Sequence, residues 1–265
     1  MTPDGAFSIS QFQQAWRVLC GACPGYTTAA RDGLEMIFSG LPVAFFNVGV
    51  ATGENVTRAQ LEDLARRSSD WASSSGLPWL FIVTHDALAT GTDASEILDN
   101  CDMAPILPLT GMRTREVAAP SRTPAGLDIS VAGDRGAREA AFDINAAAYA
   151  ADLDPCKPVF GERAFWDDHV LSMGRVGGSF VASTAVLMVD GYRYVAMVAT
   201  LPDHQRRGYA EAVMRHALDT ASAKFGDRST TLHATEAGRP IYERMGYETI
   251  ARHTAYMEKR FLDGH

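Results

Sequence analysis

The 265-residue chain has no long apolar run; nothing approaches the ~20 residues a membrane-spanning helix needs. It also lacks a basic excess. With 24 Lys and Arg against 32 Asp and Glu the formal net charge is −8, which argues against a general nucleic-acid binder. The opening residues, "MTPDGAFSIS", hold neither a basic stretch nor an apolar core of the secretory kind, so the expected compartment is the cytoplasm. Cysteine is scarce: Cys20, Cys23, Cys101 and Cys156 read as free thiols rather than a disulfide framework. "CGAC" at 20–23 has C-x-x-C spacing. No second pair and no paired histidines complete a zinc site, and no thioredoxin-like strand precedes it, so no metal is expected. No convincing Ser/His/Asp or Cys/His set for nucleophilic catalysis stands out.

What is present is a substantial core: 46% of the residues are hydrophobic. Phe12, Trp16 and Leu19 predict a helix over about 8–20. "VAFFNVGV" (43–50) predicts a strand. "TRAQ" (57–60) is a capping-box signature, and Leu61, Leu64, Ala65, Ser68 and Ala72 then keep one face of a helix. "WLFIV" (79–83) predicts a buried strand, followed by a short helix near Ser95–Cys101 and two strand-like pieces ending at Met112. Residues 113–126 carry two prolines and no apolar periodicity and read as a connecting segment. The expected division is a domain over 1–118, a linker over 119–126 and a domain over 127–265. In the second domain "LDISV" predicts a strand and 135–150 a helix. Another short helix is expected near Arg163–Leu171, and a hairpin turns at Asp190-Gly191. The order of elements repeats between the halves. Without gaps, Ile97 aligns with Ile241, Leu98 with Tyr242 and Thr110 with Thr254, which suggests duplication.

The most informative stretch is "VAMVATLPDHQRRGYAE" (195–211). An apolar strand breaks into a polar loop with one glycine, then into a helix. Ala210, Val213, Met214, Ala217, Leu218 and Ala221 mark the buried face of that helix, and Gly226 lies near its end. The first turn of a helix offers unpaired N–H groups and the positive end of the dipole, where phosphate binds readily. Gly208 permits close backbone approach, small Ala210 keeps it clear, and Arg206 and Arg207 add positive charge.

This stretch resembles motif A of the GCN5-related N-acetyltransferase (GNAT) family, Gln/Arg-x-x-Gly-x-Gly/Ala after a strand, with Gln205, Gly208 and Ala210 in those positions. "GRPIYERMGYE" (238–248) resembles the family's motif B, with Tyr242 followed by Gly246 and Tyr247. The resemblance covers roughly 127–260, and the first half only by the order of its elements. It implies an α/β (α+β) protein of two acetyltransferase-like domains. Each would be a mixed, mostly antiparallel sheet flanked by helices, with splayed central parallel strands in the C-terminal one. Acetyl-CoA would be the acyl donor. Val198, Ala199 and Thr200 would lie along its pantetheine arm, and Arg206, Arg207, Gly208, Tyr209, Ala210 and Glu211 would cradle the pyrophosphate. Tyr242 would sit near the sulfur as general acid. Where many relatives carry a glutamate on the preceding strand, this chain has Thr230. That leaves His233 on the strand and Glu236 after it as candidate proton acceptors, or water. Asp152, Asp154, Asp167 and Asp168 flank the segment that shapes the acceptor pocket in relatives.

The first half lacks the glycine motif, and Leu98 cannot donate a proton, so it resembles a degenerate acetyltransferase-like domain. The implied activity is transfer of acetyl to a primary amine on a small molecule or peptide, in a ternary complex. Another acyl-CoA as donor and a non-catalytic acyl-CoA sensor are the alternatives. No nucleic-acid or membrane partner is expected, and the sequence does not speak to oligomeric state.

Overall fold

The structure, a computed structural model, describes residues 1–120 and 123–262. Residues 121–122 of the expected linker and 263–265 of the expected second domain lie outside the described residues. In chain order the elements are α1 (Pro3–Gly21), β1 (Thr27–Arg31), β2 (Leu34–Phe38), β3 (Asn47–Ala51), α2 (Arg58–Ser73), β4 (Leu80–Thr84), α3 (Ala94–Asp99) and β5 (Met103–Thr114). There follow β6 (Asp128–Val131), α4 (Arg135–Tyr149), α5 (Lys157–Phe160), α6 (Arg163–Trp166), β7 (Val170–Val176), β8 (Ser179–Val189) and β9 (Tyr192–Thr200). The chain closes with α7 (Tyr209–Phe225), β10 (Thr230–Ala234), α8 (Arg239–Arg244) and β11 (Glu248–Glu258). Among the described residues no helix is long and apolar enough to cross a membrane.

These elements form two compact units. The first holds Met1–Met112, His233–Pro240 and the residues from Glu248 on; the second holds Arg113–Leu232 and Ile241–Tyr247. The boundary differs from the expected 1–118 and 127–265. β11 runs antiparallel to β4, with His253 opposite Thr84 and Tyr256 opposite Phe81, so the last strand completes the first unit. Tyr256 joins Leu61, Trp79, Phe81 and Ile97 in one apolar core. Residues 113–120 in turn belong to the second unit, where Ala118 N–H donates to Met245 O (3.0 Å) and Arg215 Nη1 to Ala118 O (2.6 Å). No local pattern reveals either exchange, because both depend on pairings far apart in sequence.

In the first unit the strand order is β1-β2-β3-β4-β11-β5, and β3 and β4 are its parallel pair. α1 is opened by Thr2, whose side chain accepts from Gly5 N–H, with Pro3 in the first turn. The "CGAC" thiols end this helix: buried Cys20 Sγ donates to Phe46 O (3.2 Å), and burial pushes the Cys23 thiol up to about 11. The strand expected over 43–50 begins only at Asn47. Residues 44–46 form a 3-10 turn, because the buried Asn47 amide gathers three carbonyls: Leu41 (2.8 Å), Val43 (3.1 Å) and Pro78 (3.0 Å). The β1–β2 hairpin carried no sequence signal, since every residue of β1 is exposed and nothing alternates. The two strand pieces expected before Met112 are one strand, β5.

In the second unit the order is β10-β9-β8-β7-β6, and β9 and β10 are the parallel pair. Asp190 (φ +45°) and Gly191 (φ +79°) make the turn between β8 and β9, as their type suggests. The helix expected over 163–171 stops at Trp166. Val170 and Leu171 are fully covered strand residues of β7, so the sheet claims them. α7 buries Tyr209, Val213, Met214, Ala217, Leu218 and Ala221, and Gly226 (φ +84°) ends it.

Candidate active site

The site is built where β9 leaves its neighbours. The parallel ladder pairs Arg193 with Thr230, Tyr194 with Thr231 and Val195 with Leu232, and stops there, while β9 runs on to Thr200. On its other side β9 carries one residue more than β8 between the pairs Ala185↔Ala196 and Ser183↔Ala199. Met197 absorbs the extra residue at φ +52°, a left-handed bulge that re-aims the chain. A polar chain from α4 grips it. Asn145 Nδ2 donates to Ser183 Oγ (3.0 Å), and Ser183 Oγ donates to Met197 O (3.2 Å). One turn later the Tyr149 hydroxyl donates to Val198 O (2.9 Å). Val198 is half-buried, while Ala199 and Thr200 are buried.

Past β9 the chain makes a 3-10 turn over Pro202–His204 and enters the loop of the glycine motif. Gln205 Nε2 donates back to Thr200 O (3.3 Å), tying the loop to the end of the strand. Arg206 (φ +59°) and Gly208 (φ +85°) are both left-handed, so the chain bends sharply at two places before α7 begins. Gly208 is the N-cap residue of α7 and supplies no side-chain hydrogen bond, so the first-turn N–H groups keep their capacity for an anion. Arg206 and Arg207 are exposed here, with Arg207 Nη2 donating to Asp203 O (3.0 Å). Tyr209 is buried against Val181, Ala182 and Val213, and Glu211 binds Arg215 (2.9 Å). Two buried polar atoms beside this loop have no protein partner: Thr200 Oγ1 and His204 Nδ1. Buried polar atoms are rarely left so, and a ligand with polar groups would satisfy them.

Tyr242 is buried on α8, its ring 6.0 Å from that of Tyr247. Gly246 (φ +88°) reverses the chain after α8 and brings Tyr247 N–H onto Tyr242 O (3.0 Å), which accounts for the glycine between the two tyrosines. Burial pushes the Tyr242 hydroxyl well above its ordinary value, and Tyr149 and Tyr247 add to the shift. Thr230, in the place of a glutamate, is fully buried and hydrogen-bonds the Tyr247 hydroxyl (2.9 Å), so this position holds α8 rather than a proton.

The two proton-acceptor candidates lie in the first unit. His233 Nε2 meets Ser8 Oγ (3.1 Å), and its ring stands edge-on to Phe12 (5.2 Å) and 5.0 Å from His253. Burial, then His253, pushes His233 well below the usual imidazole value. Glu236 is exposed in the turn over 236–238. The second unit thus brings together Val198–Thr200, the 205–211 loop and Tyr242. Sequence reasoning passed over the Met197 bulge, Tyr149 and the orphaned Thr200 hydroxyl. A lone tyrosine at a helix end has no signature until the strand it touches is known.

Residues 188–250, which run from the end of β8 to the start of β11, match the family model described as an acetyltransferase (GNAT) domain. No curated protein matches significantly. Among solved structures the chain is similar to a GCN5-related N-acetyltransferase from Kribbella flavida, with 22% identity, 97% of this chain and 96% of that one covered, and a TM-score of 0.69. A GCN5-related N-acetyltransferase from Sphaerobacter thermophilus matches at 13% identity, with 97% and 93% coverage and a TM-score of 0.61. A tandem GNAT protein from the clavulanic acid biosynthesis pathway, described as without AcCoA, matches at 12% identity, with 95% of each chain covered and a TM-score of 0.53. The chain has the fold of the GCN5-related N-acetyltransferases, and its residues 188–250 match the acetyltransferase (GNAT) domain model.

Proposed function

We propose that the protein transfers an acetyl group from acetyl-CoA to a primary amine of a small molecule or peptide, with one working site, in the second unit. The observation that carries this is the start of α7: two left-handed residues, an N-cap with no side-chain hydrogen bond, and two orphaned polar atoms beside it. These features fit a diphosphate on the 206–211 loop and an amide-bearing arm along Val198–Thr200.

In the reaction the amine nitrogen bonds to the acyl carbon, the carbon–sulfur bond breaks, and the leaving thiolate takes a proton. Tyr242 donates that proton. Its raised pKa keeps the phenol protonated at neutral pH. Full transfer to a thiolate of pKa ~8.5 is uphill, so its help comes as charge develops on sulfur. The amine must lose a proton. His233, pushed down by burial and bound to Ser8, holds one poorly. Both candidates, His233 and Glu236, lie in the first unit, so at the second-unit site water accepts it. The first unit serves as a degenerate acetyltransferase-like partner without donor chemistry.

The deciding experiment measures CoA thiol release from acetyl-CoA with a panel of amines. Turnover with an amine and none without it supports the transferase. Tight donor binding with no turnover on any amine favours a sensor, and faster turnover with a longer acyl-CoA favours a different donor.

A further inference from the structure

The end of α4 does something the motifs do not explain. The helix stops at Tyr149 because Ala150 is left-handed (φ +50°), with Ala151 N–H closing back on Ala146 O (3.1 Å). The stop leaves Tyr149 beside the β9 bulge, its hydroxyl on Val198 O at 2.9 Å. A residue that only packed would bury its ring, yet Tyr149 keeps 48% of its surface exposed. Its phenol also lies close enough to Tyr242 to act on that residue electrostatically. The carbonyl it holds follows the bulge, on a stretch of β9 that β10 no longer pairs.

We propose that Tyr149 is a latch on the donor site: its hydroxyl occupies the Val198 carbonyl, and the amide-bearing arm of the acyl donor displaces it. This inference rests on the reading of the second unit as an acyl-CoA site. The neighbouring carbonyl, Met197 O, is held through Ser183 and Asn145, which are buried, so the bulge keeps its shape when the latch opens. Of these two carbonyls, Val198 O is the one held by a half-exposed side chain on a helix end. Once displaced, the phenol swings to the outside of the site, where the amine must arrive. Donor binding would therefore prepare the acceptor side.

The test uses the full chain and two probes: CoA, which has the arm, and adenosine 3′,5′-bisphosphate, which has the nucleotide but no arm. Tyr149→Phe removes one competing hydrogen bond, so CoA affinity should rise about two- to tenfold. Affinity for the bisphosphate should not change. Equal or weaker CoA binding by Tyr149→Phe would overturn the latch, as would a parallel change in both ligands, which marks a purely structural residue. Absence of CoA binding to the unaltered protein would instead overturn the donor-site reading on which the latch depends.

Discussion

Each unit contains a parallel strand pair joined by a loop and a long helix, and the two are finished differently. In the second unit the β9–β10 ladder ends at Val195, β9 bulges at Met197, and α7 starts at a glycine with no side-chain cap. In the first unit β3 pairs evenly with β2, without a register shift. Beyond the β3–β4 ladder the chain is stitched again. Val56 bridges Leu88, with Val56 N–H on Ala87 O (2.8 Å) and Ala89 N–H on Val56 O (2.9 Å). Thr57 then caps α2 with a full capping box, Gln60 Oε1 accepting from Thr57 N–H (2.9 Å). An opening between strands and free N–H groups at a helix start are what a phosphate-bearing donor needs. One unit has both, and the other has filled both with its own chain. A handful of backbone hydrogen bonds is enough to close an opening of this kind.

The sharpest test of this contrast is Gly208→Glu. It places a side chain and a negative charge at the N-cap of α7, at a φ of +85° that suits glycine. Acetyl-CoA binding by calorimetry should be lost while circular dichroism shows the fold intact. If the unaltered protein binds two equivalents and one survives the substitution, the first unit is a working donor site and the contrast fails.

Next is Tyr242→Phe, which keeps the ring and removes the proton. Turnover should fall ~10²–10⁴-fold with little change in donor affinity. A drop of only a few-fold would make Tyr242 a packing residue like buried Leu98, the residue the ungapped alignment of the halves sets beside it.

The first unit should also weaken in acid. Burial, then His85, pushes His253 down to about 4, and Thr84 and Ser8 hold its two nitrogens (3.0 and 2.9 Å). An unfolded histidine titrates near ~6.5. Between these values the unfolded chain binds more protons, so stability falls as pH drops from ~6.5 toward 4 and levels off below that. The loss from this group is on the order of 3 kcal/mol. His253→Gln should flatten the pH dependence of urea midpoints over that window. In the second unit the buried phenols are shifted upward and leave stability unchanged there, while His169, also pushed down by burial, adds a loss of the same sign.

The smallest expected effect is at Val56, which is 3% exposed within the first unit's core. Val56→Ala should cost about 1–2 kcal/mol of stability by denaturant titration, leaving donor affinity unchanged. A new donor site appearing in this variant would show that the stitch alone keeps the first unit closed.

Much of the site was legible because its parts are contiguous. Gln205, Gly208 and Ala210 follow one strand and open one helix, so a few residues carry the whole arrangement. The Thr57–Gln60 box and the Asp190-Gly191 turn were legible for the same reason. The bulge was not, since Met197 is an ordinary residue whose positive φ arises only from the mismatch between β8 and β9. Nor was Tyr149, which gains meaning only from a carbonyl 49 residues away.

By itself, then, the sequence determined most of the helices, the main turn and the glycine loop before α7, because helix caps, turn residues and apolar periodicity act over a few neighbouring residues. The tertiary structure decided which unit each late segment joins, which strand pair stays open, and which tyrosine meets which carbonyl. Those outcomes depend on pairings between distant segments such as β4 with β11, whose register is set by the burial of both partners at once.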